Sequence, residues 1–265
     1  MIAGLYHEEH GPADAPPVIL SSGLGGSAAY WAPNLEVLSK RHRVIAYDHR
    51  GTGRSDRALP QGLTVEDMAA DVLALMDGLA IERAHLVGHA AGGAIGLSLA
   101  LSAPERLSSL VVINGWSAID PHFARCFETR LALLRDSGVR AYLRAQPIFL
   151  YPAPWIADHD DELDREMAHQ LASFPGVEAV EARIAALKAF HIADRLAEFS
   201  MPLLALAAKD DMLVPWTCSR ALAEGAPGAT LELMDWGGHA CNVTDPAAFN
   251  CIAVSWLNAA HNKEA

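Results

Sequence analysis

Short, mostly apolar runs alternate with helical patterns along the first half of the chain. We predict strands at 18–21, 43–47, 84–87 and 107–114, with helices at 28–42 and 64–79 between them. Continuous apolar strands joined by amphipathic helices are typical of a mostly parallel sheet that helices cover on both faces. Because ligands bind at the carboxyl ends of such strands, we expect the functional site in the loops that follow these runs.

The second half of the chain interrupts this alternation. From about 117 to 200 the strand pattern disappears, and prolines and aromatic residues accompany helical patterns. Strand patterns return at 202–208 and 230–234, and a helix is predicted for 246–257. We therefore expect one domain over 1–265, with a helical cap inserted at about 117–200. Near the start, His7-Glu8-Glu9-His10 is predicted to be a solvated hairpin.

Composition narrows the possible partners. The 265 residues include 20 Lys and Arg against 32 Asp and Glu, a net charge of −12 that disfavours nucleic acid. No uncharged apolar run reaches about 18 residues, and the first residues do not have the pattern of a signal peptide. Four cysteines without a C-x-x-C pair indicate reduced thiols. We expect a cytoplasmic protein that acts on a small molecule, away from membranes; a homodimer is left open.

The stretch V-G-H-A-A-G-G, residues 87–93, lies between a predicted strand and an apolar helix. Strand, Gly-x-x-x-Gly and helix form the layout of the nucleophile elbow G-x-S-x-G, whose central serine attacks the substrate. Here the centre is Ala90, which has no nucleophile, and His89 is interpreted as a flanking residue. The alternative is that the glycines only allow the helix to pack closely on the sheet.

A glycine-rich loop follows the first predicted strand, at residues 22–27 with the sequence S-G-L-G-G-S. It lacks the lysine of a phosphate-binding P-loop. If the elbow is genuine, the N–H groups of Leu24 and Ala91 are the expected oxyanion donors. The alternative is a tight turn that needs the conformational freedom of glycine.

Two later loops carry a candidate acid and a candidate base. In A-A-K-D-D-M-L-V-P, Asp211 fits the role of orienting a histidine better than Asp210, and Asp120 is a weaker substitute. In D-W-G-G-H-A-C-N, His239 follows a Gly-Gly turn, where a ring can reach across the sheet edge. Cys241 is a rival nucleophile but is interpreted as a small packing residue, because it lies off the elbow.

The order elbow, acid, histidine at positions 90, 211 and 239 is the order of α/β-hydrolases. The chain resembles that superfamily: S-G-L-G-G-S stands in place of H-G-x-x-G-S, and D-H-R-G-T-G-R-S resembles D-x-R-G-x-G-x-S. The resemblance implies an α/β-hydrolase fold with a helical cap. The chain resembles most closely those members of the superfamily that serve uracil degradation. The stretches that carry this closer resemblance are G-H-A-A-G, I-N-G-W, F-L-Y-P-A and G-G-H-A-C-N-V-T-D-P. Those members also have alanine at the elbow centre, which implies that Ala90 is native.

This closer resemblance implies a hydrolase that acts on a small, labile C–N intermediate of pyrimidine catabolism. The substrate would be 3-aminoacrylate, giving malonic semialdehyde and ammonia, or carbamate, giving ammonia and carbon dioxide. Without a serine, we expect His239, oriented by Asp211, to deprotonate a water molecule. Arg125 or Arg130 of the cap could pair with a substrate carboxylate. We expect neither a metal nor a cofactor.

Two other classes of function fit the same residues. The protein could be a non-catalytic α/β-hydrolase homologue that binds a ligand or serves as a scaffold. It could also be a cofactor-free oxygenase or lyase in which His239 acts as the base on a carbon acid.

Overall fold

The computed structural model describes residues 1–261, in which seven strands form one sheet. They are β1 (His7–His10), β2 (Pro17–Ser21), β3 (Arg43–Tyr47), β4 (Ala84–His89), β5 (Leu107–Ile113), β6 (Leu203–Ala208) and β7 (Thr230–Met234). The strand order is β1-β3-β2-β4-β5-β6-β7. Strand β1 pairs antiparallel with β3, and all other pairs are parallel. The prediction of a mostly parallel sheet is therefore confirmed.

Residues 1–261 form eleven α-helices, some of which cover both faces of this sheet. They are α1 (Ala32–Leu38), α2 (Val65–Gly78), α3 (Ala91–Ser102), α4 (Pro121–Ala132), α5 (Gly138–Leu150), α6 (Ala153–Asp158), α7 (Asp160–Ala172), α8 (Val177–Ala189), α9 (Trp216–Gly225), α10 (Cys241–Thr244) and α11 (Pro246–His261). Strand side chains alternate between two buried clusters: Ile19 packs with residues of α2 and α3, whereas Val18 and Leu20 pack with residues of α1 and α11. This is the two-faced burial expected of continuous apolar strands.

Two local predictions were wrong. The segment His7–His10 is the edge strand β1 and not a hairpin, because its charged side chains find partners, as in the contact of Glu9 with Arg43 on β3. The helix predicted for 28–42 is a 3₁₀ helix, Ala28–Trp31, followed by α1, which ends at Leu38. Pro33 lies in the first turn of α1, where an N–H has no partner within the helix and proline is tolerated. In the interior of one continuous helix over 28–42, the same proline would remove a hydrogen bond and clash with the preceding turn.

The segment between β5 and β6 contains the five helices α4 to α8, from Pro121 to Ala189. These helices contact loops that follow the strands. Cys126 of α4 lies 3.8 Å from the carbonyl oxygen of Met212, which follows β6, and the Leu150 carbonyl of α5 accepts a hydrogen bond from Ala240 N, which follows β7. The helices therefore lie over the carboxyl end of the sheet. That they form a cap inserted in one domain stays a prediction.

Within residues 1–261, we found no helix with both the length and the apolar character that crossing a bilayer requires.

The turn from β4 to α3 is the tightest point of the fold. Ala90 has a φ of 49° and a ψ of −105°, a combination that residues with a β-carbon rarely adopt, and α3 begins at the next residue. A β-carbon at Gly92 would lie 2.0 Å from the carbonyl oxygen of Ser21 on β2, and one at Gly88 would lie 2.3 Å from that of Gly92. Glycine is therefore required on both sides of Ala90 so that α3 can approach the sheet.

This close approach predicts a large effect for Gly92→Ala. The obstacle is backbone, which cannot rotate away, so we expect the free energy of unfolding to fall by at least about 2 kcal/mol. The measurement is urea unfolding followed by far-UV circular dichroism. The control is Gly25→Ala, because a β-carbon there would have no heavy atom within 4 Å. Equal stability of the two variants would contradict the steric argument.

Candidate functional site

The loops after β6 and β7 bring Asp211 and His239 together. Nδ1 of His239 lies 2.8 Å from Oδ2 of Asp211, and the side chains are 3% and 0% exposed. The other oxygen of Asp211, Oδ1, accepts hydrogen bonds from the N–H groups of Leu213 and Val214 at 2.7 and 3.0 Å. A carboxylate held in this way accepts a hydrogen bond from Nδ1–H of the neutral His239 ring. The ring therefore presents Nε2 as a lone pair, the form that a general base needs.

The neighbouring acids have other tasks. Asp210 accepts hydrogen bonds from the backbone N–H groups of Gly238 and Gly237, at 2.9 and 3.3 Å. It therefore holds the Gly-Gly turn before His239 and does not contact the ring. Asp120 caps α4 by accepting the N–H groups of His122 and Phe123. Of the three acids considered from sequence, the structure brings only Asp211 to the imidazole of His239.

The backbone of His239 is held as firmly as its ring. Its carbonyl oxygen accepts a hydrogen bond from Nδ2 of Asn114, at 2.7 Å, and one from Nε2 of His89, at 2.8 Å. Oδ1 of Asn114 accepts Ala208 N at the end of β6, so this one buried amide joins the ends of two strands to the histidine loop. Sequence reasoning missed Asn114. Its signal was a polar residue directly after the apolar run L-V-V-I, in the stretch I-N-G-W.

His89 links the elbow to the histidine loop. Its ring stacks on that of Tyr30 and lies 4.8 Å, centroid to centroid, from the ring of His239. Burial, and then the neighbouring His239, hold the pKa of His89 well below its usual range. A neutral ring that donates from Nε2 has its lone pair on Nδ1, so His89 supports the loop as a neutral residue.

The two predicted oxyanion donors lie at the same end of the sheet. A β-carbon at Gly23, next to Leu24, would lie 3.9 Å from the β-carbon of Ala90. Ala91 is the first residue of α3, where an N–H has no partner within the helix. Among residues 1–261, neither the Leu24 nor the Ala91 N–H donates to an internal acceptor. Both groups are therefore free to bind an anion, although that role stays a prediction.

A side chain of α8 holds the glycine-rich loop. Arg183 of α8 is 2% exposed, and its Nε donates to the carbonyl oxygen of Leu24 at 3.2 Å. Its other nitrogens donate to the Arg50 carbonyl at 3.2 Å and to Nδ1 of His49 at 2.9 Å. Sequence reasoning missed this residue too. It interrupts the apolar face formed by Val180, Ile184 and Leu187, a pattern that indicates a buried cation.

Cys241 does not provide an alternative nucleophile. Its side chain is fully buried, and Nδ2 of Asn114 lies 3.6 Å from its sulfur. Burial raises the pKa of the thiol, as does the nearby Asp211. A thiol with a raised pKa is rarely in the reactive thiolate form, which agrees with its interpretation as a packing residue.

Comparison with known proteins identifies the class. The family profile described as alpha/beta hydrolase fold matches residues 16–146. The chain is also similar to the enol-lactonase of Burkholderia xenovorans LB400, with 27% identity, a TM-score of 0.87, and 97% and 98% of the two chains covered. The protein belongs to the α/β-hydrolase family.

Two relatives are much more similar and share one name. A protein of Caulobacter sp. strain K31 named "Putative carbamate hydrolase RutD" is 53% identical over 259 residues, 97% of each chain. A protein of Variovorax paradoxus strain S110 with the same name is 55% identical over 254 residues, 96% of each chain. The family and these relatives support a hydrolase.

The buried histidines around this site predict acid sensitivity. Burial, and then the Arg183 cation, hold the pKa of His49 well below its usual range. In the unfolded chain, the His49 side chain takes up a proton as the pH falls through about 6.5. In the folded protein, the same side chain stays neutral. Its contribution to stability is therefore present above pH 6.5 and is lost below it, at about 1.4 kcal/mol per pH unit.

The measurement is urea unfolding between pH 7.5 and 5.5. His49→Gln should reduce the dependence of stability on pH by about one proton, because a neutral amide can still accept the hydrogen bond from Arg183. The control is His191→Gln, since His191 has a side chain that is 58% exposed. An unchanged pH dependence in His49→Gln would show that His49 also takes up a proton in the folded protein.

Proposed function

We propose that the protein hydrolyses the C–N bond of a small, labile compound of pyrimidine catabolism, 3-aminoacrylate or carbamate, without a covalent intermediate. One observation carries this proposal: a buried, correctly oriented His239–Asp211 pair is retained beside an elbow whose centre is a methyl group. The name of the relatives supports the C–N chemistry.

His239 is proposed to act on water directly. Because Nδ1–H of His239 donates to Asp211, Nε2 carries the lone pair and takes a proton from a water molecule near Ala90. The oxygen of that water adds to the carbon of the C–N bond. The proton held by Nε2 then passes to the nitrogen, which leaves as ammonia when the bond breaks, and carbamate gives bicarbonate in this way. In 3-aminoacrylate, C2 takes a proton from solvent before the addition, which turns the enamine into an iminium that the water oxygen can attack at C3. The new hydroxyl group gives a proton back to solvent as ammonia leaves and the aldehyde forms. One water is consumed, and the side chain returns to its starting form.

The N–H groups of Leu24 and Ala91 are proposed to bind negative charge on the substrate or transition state. Their contribution would come from orientation before the reaction, since such donors need not rearrange as charge develops. Arg183 supports this role, because it holds the carbonyl group of Leu24, in the peptide that follows the one with the N–H group.

The size of the expected acceleration fits a labile substrate. A serine-hydrolase site that has lost a triad member still accelerates hydrolysis by about 10³–10⁴-fold over water. That factor corresponds to about 4–5.5 kcal/mol of barrier. It is too small for a stable amide, whereas it is useful for a compound that already hydrolyses on its own.

Replacing the proposed base should remove the acceleration. His239→Ala is expected to release ammonia from freshly generated 3-aminoacrylate or carbamate no faster than buffer alone. His191→Ala serves as a matched exposed histidine and should behave as the wild-type protein does. The measurement is a time course of ammonia and of the remaining substrate.

The outcomes separate the alternatives. If His239→Ala keeps the wild-type rate, the water-activation scheme is wrong. If the wild-type protein has no effect on either compound, a binding or scaffold role replaces catalysis. Oxygen consumption during turnover would identify an oxygenase.

Restoring the missing hydroxyl tests the geometry of the elbow. Ala90→Ser should create measurable activity on an activated ester such as p-nitrophenyl acetate, because the proposed base, His239, is paired with Asp211 and the proposed N–H donors lie at the same end of the sheet. The double variant Ala90→Ser/His239→Ala should lose that activity. A folded Ala90→Ser protein without esterase activity would contradict the proposed alignment of residue 90 with His239.

A further inference from the structure

The cap contains two buried arginines that have no carboxylate partner. Arg130 of α4 is 4% exposed and Arg183 of α8 is 2% exposed. Among residues 1–261, no Asp or Glu oxygen lies within 4.0 Å of either guanidinium. A buried cation is costly unless other groups compensate its charge, so each of these side chains needs an explanation.

Arg183 is compensated by the protein itself. Its Nε and both terminal nitrogens donate to three acceptors, the carbonyl oxygens of Leu24 and Arg50 and Nδ1 of His49. Every branch of the guanidinium is used, and the contacts join the cap to two loops. Arg183 therefore has a complete structural role.

Arg130 is not compensated in this way. Its one protein hydrogen bond goes from Nη2 to the neutral hydroxyl of Tyr142, at 3.2 Å. The rings of Phe127, Tyr142 and Phe149 surround its central carbon at 5.6–5.8 Å. Its Nε is buried and has no hydrogen-bond partner. The faces of aromatic rings attract a cation, but they do not replace the oxygen or nitrogen acceptors that its N–H groups need. The edge of the guanidinium that carries Nε–H is therefore an unused donor edge.

Arg130 lies between the parts of the cap that contact the loops of the candidate site. One turn earlier on α4, Cys126 contacts the carbonyl oxygen of Met212, the neighbour of Asp211. On the other side, Phe149 precedes Leu150, whose carbonyl accepts the N–H of Ala240, the neighbour of His239. The Arg130 side chain therefore lies between a residue that contacts the acid loop and a residue next to the contact with the histidine loop.

We propose that Arg130 binds the carboxylate of the substrate, through Nε–H and an N–H of Nη2, and so holds the C–N end near His239. This inference rests on the proposed function and adds the substrate class: a short aliphatic carboxylate. A carboxylate matches the fork of a guanidinium edge, and the aromatic rings around it exclude water and strengthen the ion pair. The rival cation, Arg125, is on the exposed side of α4.

The position of Arg130 also selects between the two compounds. The two proposals assign the substrate carboxylate to Arg130 and the charge at the reacting carbon to the Leu24 and Ala91 N–H groups, so they require two separate groups in the substrate. In carbamate, the carboxylate carbon is itself the carbon of the C–N bond, whereas in an enamino carboxylate the two are different carbons. Arg130 therefore favours the latter class.

The test is a binding measurement that does not depend on turnover. Propionate is the probe, and propionamide is its neutral counterpart of the same shape. Calorimetric titration of the wild-type protein up to about 100 mM should detect propionate and not propionamide. Arg130→Gln should weaken propionate binding at least about tenfold, the loss expected for a charged hydrogen-bonded pair. Arg130→Lys should keep part of the affinity, and Arg125→Gln should match the wild-type protein within about twofold.

Each outcome decides the proposal. It is overturned if the wild-type protein binds neither probe or binds both equally. It is also overturned if Arg125→Gln loses propionate binding and Arg130→Gln keeps it. Circular dichroism checks the fold of each variant, and if Arg130→Gln does not fold, Arg130→Lys with the propionate and propionamide comparison decides. Propionate binding that needs Arg130, in a protein without hydrolytic activity, would support this site and refute the proposed function. Hydrolytic activity in a protein whose propionate binding does not depend on Arg130 would refute this site and support the proposed function.

Discussion

The approach of α3 to β2 at Gly92 is the constraint on which the rest of the site depends. Since a β-carbon there would collide with the Ser21 carbonyl oxygen, only glycine allows the helix to begin immediately after β4. The chain must then turn sharply at Ala90, in a backbone conformation that costs about 1–3 kcal/mol. In return, residue 90 stands at the end of a central strand, with the N–H of Ala91 free beside it.

That strained turn is kept although no nucleophile uses it. Around it, buried hydrogen bonds hold the other groups: Asp211 fixes the ring of His239, Asp210 fixes the turn before it, and Asn114 fixes its carbonyl oxygen. A site that had only to pack would not need a strained turn and an oriented, buried imidazole together. The combination agrees with a reaction that still needs the base and the free N–H groups and has no use for a covalent intermediate.

Helices α4 and α8 contribute two buried cations with different surroundings. Arg183 has an acceptor for each branch of its guanidinium and anchors the glycine-rich loop, whereas Arg130 has one neutral acceptor and three ring faces. Their burial is nearly equal, so the difference lies in whether the protein itself satisfies the charge. On the proposal made here, the substrate completes the set of partners for Arg130, which joins recognition of the carboxylate to the position of the reacting bond.

The sequence by itself determined the alternation of strands and helices, the sharp turn at Gly88–Gly92 and the absence of a hydroxyl at position 90, because each follows from local residue chemistry. It missed β1, since paired charges on an edge strand resemble a solvated turn. The sequence favoured Asp211 over Asp210, and the tertiary structure brings Asp211 to His239. Only the tertiary structure decided that Asn114 and Arg183 hold the loops, and that Arg130 and not Arg125 is buried. Those outcomes depend on which distant segments meet at the carboxyl end of the sheet, and periodicity within one segment does not contain that information.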